Sequence, residues 1–397
     1  MKTVQVNRKG ADRAASGHPW IFSSDITDRG DSQPGDAVRV VDPKGRLAGV
    51  AHYSSTSQIS LRLLTHRVEP IEREFFRRRL TQAIAHRERV VENSNACRLV
   101  FSEGDLLPGL IVDRYGWQVG DLPHGYLVMQ TLSQGMDRAR DLIADCLAEL
   151  LHPLGILARN DASVRRLEGL PLESVILAGQ IPDRVAIEMN GLKLEADLLH
   201  GQKTGVYLDQ RENYLAAATH ARGRVLDCFT STGGFALHAA GRVESVEAVD
   251  SSAPALASAE ANARANGIAN IQFRQADIFD FLARVSSGES RRYSMIILDP
   301  PAFAKSRKQL DAATRGYKEI NLRALRMLDA GGILVTCSCS HHVSEAMLLQ
   351  IVAEAALEAG RTLRILERRT QAADHPMLLT VPESLYLKCL ILEVLEQ

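Results

Sequence analysis

The stretch Arg224-Val225-Leu226-Asp227-Cys228-Phe229-Thr230-Ser231-Thr232-Gly233-Gly234 decides the reading of this chain. An apolar-rich run ends near a carboxylate, and a turn of small residues then opens a helix, which is the strand–turn–helix start of a parallel α/β sheet. The pattern continues downstream. Ser245-Val246-Glu247-Ala248-Val249 precedes an Ala-rich helix expected over Ala253–Ala265, and further strands are expected at 271–274, 294–298, 333–337, 363–366 and 386–391. Such sheets bind ligands at the carboxyl ends of their strands, so the residues just past each strand carry the information. Four successive strands end on an acid: Asp227, Asp250, Asp277 and Asp299.

The turn Thr230-Ser231-Thr232-Gly233-Gly234 offers backbone N–H groups and small residues at a helix start, yet G-x-G-x-x-G is absent. A dinucleotide's pyrophosphate favours that glycine-rich helix N-terminus. S-adenosylmethionine has no phosphate and carries a sulfonium and an ammonium, and acid-rich strand ends suit it. Asp250, 23 residues after Asp227, is placed to accept hydrogen bonds from ribose hydroxyls, and Asp277 to accept one from the adenine amino group. Taken singly, each aspartate could equally be a turn former or a helix cap.

The 397 residues are 45% hydrophobic and 24% charged with a net charge of −1, the composition of a globular chain of two or three domains. That near-neutrality is an average, because residues 1–90 carry 16 Lys/Arg against 10 Asp/Glu while the remainder is net acidic. A polyanion is therefore expected to meet the front of the chain. Six cysteines, four of them far apart and without a repeating spacing, and no signal-peptide pattern at Met1-Lys2-Thr3-Val4-Gln5 read as reduced thiols of a cytoplasmic protein. Apolar runs such as Met295-Ile296-Ile297-Leu298 fall far short of the ~20 residues that span a bilayer.

Residues 1–68 alternate short β-type runs (37–41, 47–51) with turns at Pro34-Gly35-Asp36 and Asp42-Pro43-Lys44-Gly45, the pattern of a small β-barrel or sandwich. Arg39, Arg46, Arg62 and Arg67 interleave with these strands, as a phosphate-contacting face or as a merely solvated one. An amphipathic helix carrying Arg77-Arg78-Arg79 is expected over 69–91, then strands at 99–101, 110–112 and 126–129 and a helix over 137–151. Asn190-Gly191 between 185–189 and 192–196 is a strong hairpin signal. Three domains follow: 1–68, an α+β domain over 69–190, and the sheet domain over 191–397.

The fourth sheet strand runs into Asp299-Pro300-Pro301-Ala302-Phe303, where the prolines fix the chain direction, and the fifth into Cys337-Ser338-Cys339-Ser340-His341-His342. A thiol at this edge is placed for nucleophilic chemistry. By the period-two rule Cys337 and Cys339 would share a strand face. The competing readings are a buried sheet cysteine and a metal cluster, but C-x-C followed by adjacent histidines is not a usual zinc spacing, and no metal is expected.

Gly201-Gln202-Lys203-Thr204-Gly205-Val206-Tyr207-Leu208-Asp209-Gln210-Arg211, Asp227-Cys228-Phe229 with Thr232-Gly233-Gly234-Phe235, Asp299-Pro300-Pro301, Arg315-Gly316-Tyr317-Lys318, Ser338-Cys339-Ser340 and Gln371-Ala372-Ala373-Asp374-His375-Pro376 together resemble the bacterial class I 23S rRNA cytosine-C5 methyltransferases. Nearer the front, Gly17-His18-Pro19-Trp20-Ile21-Phe22 with Gly35-Asp36, then Glu103-Gly104-Asp105 and 108–116, are similar to the same family. The resemblance implies a Rossmann-like α/β methyltransferase sheet, a central α+β domain and an N-terminal β-barrel PUA domain. Its implied partner is 23S rRNA or a large-subunit assembly intermediate, with no membrane, and it leaves a homodimer open.

It also implies a mechanism. A thiolate adds to C6 of cytosine, C5 becomes nucleophilic and takes the methyl group, and loss of the C5 proton expels the thiol. Cys339 matches the nucleophile position, and Asp299 is the candidate for holding the N3/N4 edge. Asp299 with Pro300 joins Asp227, Phe229, Thr232, Gly233, Gly234, Asp250 and Asp277 as the expected S-adenosylmethionine contacts. Lys203, Thr204, Gly205 and Tyr207 are expected to cover the methionine end. Glu383 and His375 are candidates for the proton-abstracting base. Ala302 stands where two-cysteine RNA methyltransferases place their second thiol, so a one-cysteine mechanism follows. The alternatives are methylation of another RNA base (uracil C5 or an exocyclic amine) and a cofactor-binding ribosome-assembly factor without turnover.

Overall fold

A computed structural model describes residues 1–397 except 118–124, 202–203, 289–291, 305 and 397. Its contacts divide the chain into two discontinuous compact units: Met1–Glu188 with Ala196–Val206 and Ala373–Ser384, and Met189–Glu195 with Tyr207–Ala372 and Leu385–Gln397. No helix among the described residues is long and apolar enough to cross a membrane.

The first unit holds two sheets. One has six strands in the spatial order Trp20–Phe22, Ile59–Thr65, Leu47–Tyr53, Ala37–Val41, Lys2–Val6 and Ile26–Asp28. Alternation sets its faces: Val38 and Val40 are buried with Val4, Val6, Ile21 and Leu61, while Arg39 between them is exposed. A helix at Arg8–Ala15 was not anticipated, since polar residues and a central glycine hide it. Asn7 caps it by accepting the Gly10 N–H at 2.8 Å, and a Cβ on Gly10 would lie 3.1 Å from that of Asp25.

The arginines of these strands separate into two kinds. Arg62 is buried against Glu168 at 2.8 Å and Arg46 pairs with Asp42, so burial takes Arg62 out of any phosphate-contacting face. Arg39 and Arg67 are exposed and make no ion pair among the described residues. In the Arg77-Arg78-Arg79 run the first two pair with Glu74 and Glu69, and Arg79 is half-buried on the Leu64 carbonyl.

The second sheet of this unit orders Glu173–Gly179, Gly155–Asn160, Tyr126–Thr131, Leu110–Tyr115 and Cys97–Phe101. Helices Arg73–Val90 and Arg140–Leu151 put Phe75, Phe76, Leu80, Ile143 and Leu147 into its core. Arg87 is buried, donates two hydrogen bonds to the Asp105 carboxylate and also donates to the carbonyls of Arg98 (2.7 Å) and Asp374 (2.8 Å). Because Arg87→Ala leaves Asp105 charged, mostly buried and unpaired, it is expected to cost about 3–5 kcal/mol, read as a lowered urea midpoint.

In the second unit a seven-stranded sheet is built from β1 (Arg224–Cys228), β2 (Ser245–Asp250), β3 (Ile271–Gln275), β4 (Tyr293–Leu298), β5 (Leu328–Ser338), β6 (Leu363–Arg369) and β7 (Lys388–Val394). The order is β3-β2-β1-β4-β5-β7-β6, with β7 antiparallel to both neighbours and the other pairings parallel. Helices cover the parallel strands, so Met295–Leu298 of β4 is buried on both faces and reads as an apolar run. The strand order reverses between β1 and β4, which is where such sheets bind ligands. A hairpin, Val185–Met189 with Leu192–Ala196, turns at Asn190 (φ 55°) and Gly191 (φ 81°), the two left-handed residues that a two-residue turn requires.

Candidate active site

Asp227 on β1 is fully buried. Its Oδ2 accepts from Thr230 Oγ1 at 2.6 Å and from the Ala236 N–H at 3.1 Å, while Oδ1 is buried with no hydrogen-bond partner among the described residues. Burial, reinforced by the charges of Asp299 and Asp250 and opposed by those hydrogen bonds, raises this carboxyl to about 7. The following turn is tightly wound, with Phe229 (φ 63°), Ser231 (φ 51°) and Gly233 (φ 88°) all left-handed. Asp250 fastens it to β2 by accepting the N–H groups of Ser231 (2.9 Å) and Ser252 (2.8 Å), and its oxygens keep lone pairs for further donors.

Gly234 meets a different need. A Cβ there would fall 2.3 Å from the Tyr214 ring, so the helix that Gly234 begins can approach Tyr214 only without a side chain. Gly234→Ala is expected to lower stability by about 1–3 kcal/mol through overpacking, visible in thermal unfolding.

Asp299, past β4, accepts from Gln210 Nε2 at 3.0 Å, and Gln210 in turn accepts from Asn213 at 2.7 Å. Pro300 beside it is buried. The Tyr207 hydroxyl is pushed up by burial and then by the negative charges of Asp299 and Asp209. Asp277 is exposed and accepts the Asp280 N–H at 3.2 Å, capping the helix Ile278–Gly288. The unit thus gathers Asp227, Asp250, Asp299 and Asp209 closely enough that their charges push up the Asp227 carboxyl and the Tyr207 hydroxyl, and Asp227 Oδ1 is left unmatched among the described residues. Such a site fits a cation, as the sulfonium and ammonium of S-adenosylmethionine require.

Three of the expected contacts lie outside this unit or outside the described residues. Lys203 lies outside the described residues. Thr204 and Gly205 belong to the first unit, where the buried Thr204 hydroxyl is committed to Asp113 and, at 2.9 Å, to Tyr115.

At the other side of the site, β5 ends at Ser338, so Cys339 lies beyond the strand and does not share a pleat face with Cys337 as the spacing suggested. Cys337 is buried opposite Cys389, and burial and that neighbouring thiol push its pKa well up. Of the six cysteines, Cys339 alone is half-buried and the rest are buried. Its Sγ lies 3.9 Å from the Pro300 carbonyl oxygen. The flanking serines hold it there. Ser338 Oγ donates to the Tyr317 hydroxyl at 2.9 Å, that hydroxyl lies 3.1 Å from Ser340 Oγ, and Ser340 Oγ accepts the Ala304 N–H at 3.3 Å. These bonds give Arg315-Gly316-Tyr317-Lys318 a role beside Ser338-Cys339-Ser340. Phe303 packs on Tyr317, Phe279 and Phe229, so the aromatic after the prolines is engaged in the core.

The two expected bases belong to the other compact unit. His375 is buried in the first unit against Asp374 (3.1 Å) and Phe101, and Glu383, also in that unit, pairs with His18. Three residues went unread in the sequence: Gln210 and Asp209, which stand inside a quoted motif, and Lys388, whose signal was a lysine within the apolar run Leu387–Ile391. Tyr386, whose hydroxyl donates to Asp209 at 2.6 Å, and Lys388 enter from the start of β7. Among the described residues no group of three or more His, Cys, Asp or Glu is placed to hold a metal ion.

Residues 158–392, which include this doubly wound sheet and its carboxylates, match the family described as S-adenosylmethionine-dependent methyltransferase. This chain belongs to that family, and its cofactor is S-adenosylmethionine. Residues 4–66 match a PUA-like domain. The chain is similar over nearly its whole length to ribosomal RNA large subunit methyltransferase I of Tolumonas auensis, 42% identical over 388 residues, which covers 95% of this chain and 96% of the relative. The protein of that name from Vibrio cholerae is 38% identical over 398 residues, 98% of each chain. In fold it resembles SMU.776, solved as a complex with SAH (TM-score 0.84, 20% identity, 99% of this chain and 100% of that one). A Streptococcus mutans protein described as a SAM-dependent methyltransferase gives a TM-score of 0.82 at 20% identity over 99% and 100% of the two chains.

Proposed function

We propose that this enzyme methylates C5 of a cytosine in 23S ribosomal RNA through a covalent bond between Cys339 and C6 of the base. The observation that carries this reading is the state of the thiols: one cysteine of six is half-buried, and it stands past β5 beside the Pro300 carbonyl. The named relatives support the RNA substrate. Bound at the β1–β4 edge, S-adenosylmethionine supplies an electrophilic methyl group. The Asp227 carboxylate, with its unmatched oxygen, favours the cofactor's cationic groups; Asp250 keeps lone pairs for the ribose, and Asp277 is read as an adenine contact in addition to its capping role.

Cytosine C5 is a weak nucleophile on its own. Addition of the Cys339 sulfur at C6 moves the C5–C6 π electrons into the ring, so that C5 gains the density it needs. Asp299, anchored by Gln210, accepts from the cytosine N4 amino group and holds the ring edge through the addition. Once C5 has taken the methyl group, departure of its proton to a base expels the sulfur as thiolate and restores the C5–C6 double bond. The parts 1–68, 69–190 and 191–397 divide the work between RNA contact and chemistry, with exposed Arg39 and Arg67 as phosphate contacts.

The reading is tested by incubating 23S rRNA with labelled methyl donor and digesting the product to nucleosides. Label in 5-methylcytidine is expected. Label confined to 5-methyluridine or to an N-methylated base contradicts the assignment.

A further inference from the structure

Lys388 is the only basic side chain that the sheet buries next to the Cys339 turn among the described residues. It stands on β7 directly opposite Ser338 of β5, in a strand pair whose next positions are Cys337 and Cys389. The residue is 4% exposed. Its Nζ donates to the Ser340 carbonyl at 2.8 Å and to the Tyr386 carbonyl at 2.9 Å, and it makes no ion pair among the described residues. Burying an ammonium without a counter-charge is costly, and a methionine of similar length would fill the same space in an apolar strand. The bond to Ser340 places the charge one residue beyond the nucleophile. We propose that Lys388 is a positioning residue for Cys339: its ammonium holds the Cys339 sulfur as the thiolate.

The ionisation balances simply. The thiol proton leaves to bulk water, Lys388 keeps its own, and the sulfur retains the electron pair that later forms the bond to C6. Burial pulls the Lys388 ammonium down to about 8, and a negative charge on the Cys339 sulfur would oppose this pull. Among the described residues, Asp299 works against ionisation and two tyrosines beside the thiol are neutral. Asp299 precedes Pro300 at the end of β4; Tyr207 and Tyr317, from the segment before Arg211–His220 and from the helix Leu310–Met327, both have hydroxyls pushed up and uncharged. His341 and Tyr386 meet ring to ring at 6.0 Å nearby. Lys388 thus brings a positive charge to the same turn as the negative charge of Asp299.

The inference rests on Cys339 being the nucleophile, but its test reads the thiol without RNA or turnover, so the two readings fail separately. Iodoacetamide alkylation of Cys339, followed by peptide mass mapping across pH 5 to 10, gives the ionisation midpoint. In Lys388→Met the midpoint is expected to rise by about one unit, slowing alkylation at pH 7 about tenfold, and Lys388→Arg is expected to restore most of the rate. An unchanged midpoint in a folded Lys388→Met protein overturns the proposal, as does a folded Lys388→Arg protein that behaves like Lys388→Met. Should Lys388→Met not fold, reciprocity supplies a second measurement. The Lys388 titration, followed by carbon-13 NMR at Cε, is expected to fall in Cys339→Ser relative to the unchanged chain, and equal midpoints overturn the proposal.

Discussion

Cys339→Ala is expected to abolish methyl transfer, by on the order of 10⁴-fold or more in kcat, while leaving cofactor affinity within about threefold. The size follows from the chemistry. Without addition at C6, C5 has no means of gaining nucleophilic density, and nothing else among the described residues beside Pro300 offers a thiol to replace it. The paired substitution gives the contrast. Cys337 is buried on β5 against Cys389 with its thiol held neutral, so Cys337→Ala removes packing and is expected to cost about 1 kcal/mol of stability with activity within about threefold. Single-turnover methylation with each variant, alongside cofactor binding by calorimetry, reads both effects.

Asp227→Asn is expected to weaken S-adenosylmethionine binding by about 100-fold or more, because the unmatched buried oxygen would face the cation without its charge. The same carboxyl makes binding pH-dependent. With its pKa raised to about 7, it is largely protonated at pH 6, and a cation must displace that proton. Cofactor affinity is therefore expected to fall about tenfold per unit below pH 7 and to level off above it, a slope that Asp227→Asn removes. Stability without cofactor runs the opposite way. Between 3.8 and about 7 the folded chain holds a proton that the unfolded chain has released, so stability falls as pH rises through that window. At pH 8 the folded state carries the whole cost of the buried charge. Asp227→Asn is then expected to raise the cofactor-free melting temperature at pH 8 and to leave it nearly unchanged at pH 4.

Much of the second unit was legible because its elements are consistent at every level. Met295–Leu298 of β4 reads as an apolar run since both its faces are covered, the helix Ala253–Ala265 carries a Ser252 cap and a proline in its first turn, and Asn190-Gly191 adopts the conformations its composition favours. The helix Arg8–Ala15 and the strands Gly155–Asn160 and Glu173–Gly179 were not legible: the first is polar with a glycine inside, Gly155–Asn160 is buried along its whole length and shows no apolar–polar alternation, and Glu173–Gly179 leaves Val175 and Ile176 exposed.

In the site, the aspartates were visible one by one, and their roles were not. Periodicity cannot say that Asp277 caps a helix or that Oδ1 of Asp227 is unmatched. Nor can it say that Thr204 and His375 fold into the first unit, since that depends on contacts across long stretches of chain. The Cys337/Cys339 pairing misled for a local reason. The pleat ends at Ser338, and one residue past the end of a strand the period-two rule no longer applies.

The central claim is a covalent bond from Cys339 to the pyrimidine ring, and 5-fluorocytidine-substituted 23S rRNA tests it most directly. Fluorine in place of the C5 proton blocks elimination after methyl transfer and leaves the thiol attached to C6. With S-adenosylmethionine present, a denaturation-resistant protein–RNA band is predicted for the unchanged chain and for Cys337→Ser, and none for Cys339→Ser. A band that persists in Cys339→Ser, or its absence from the unchanged chain while unsubstituted RNA is methylated, would contradict the account.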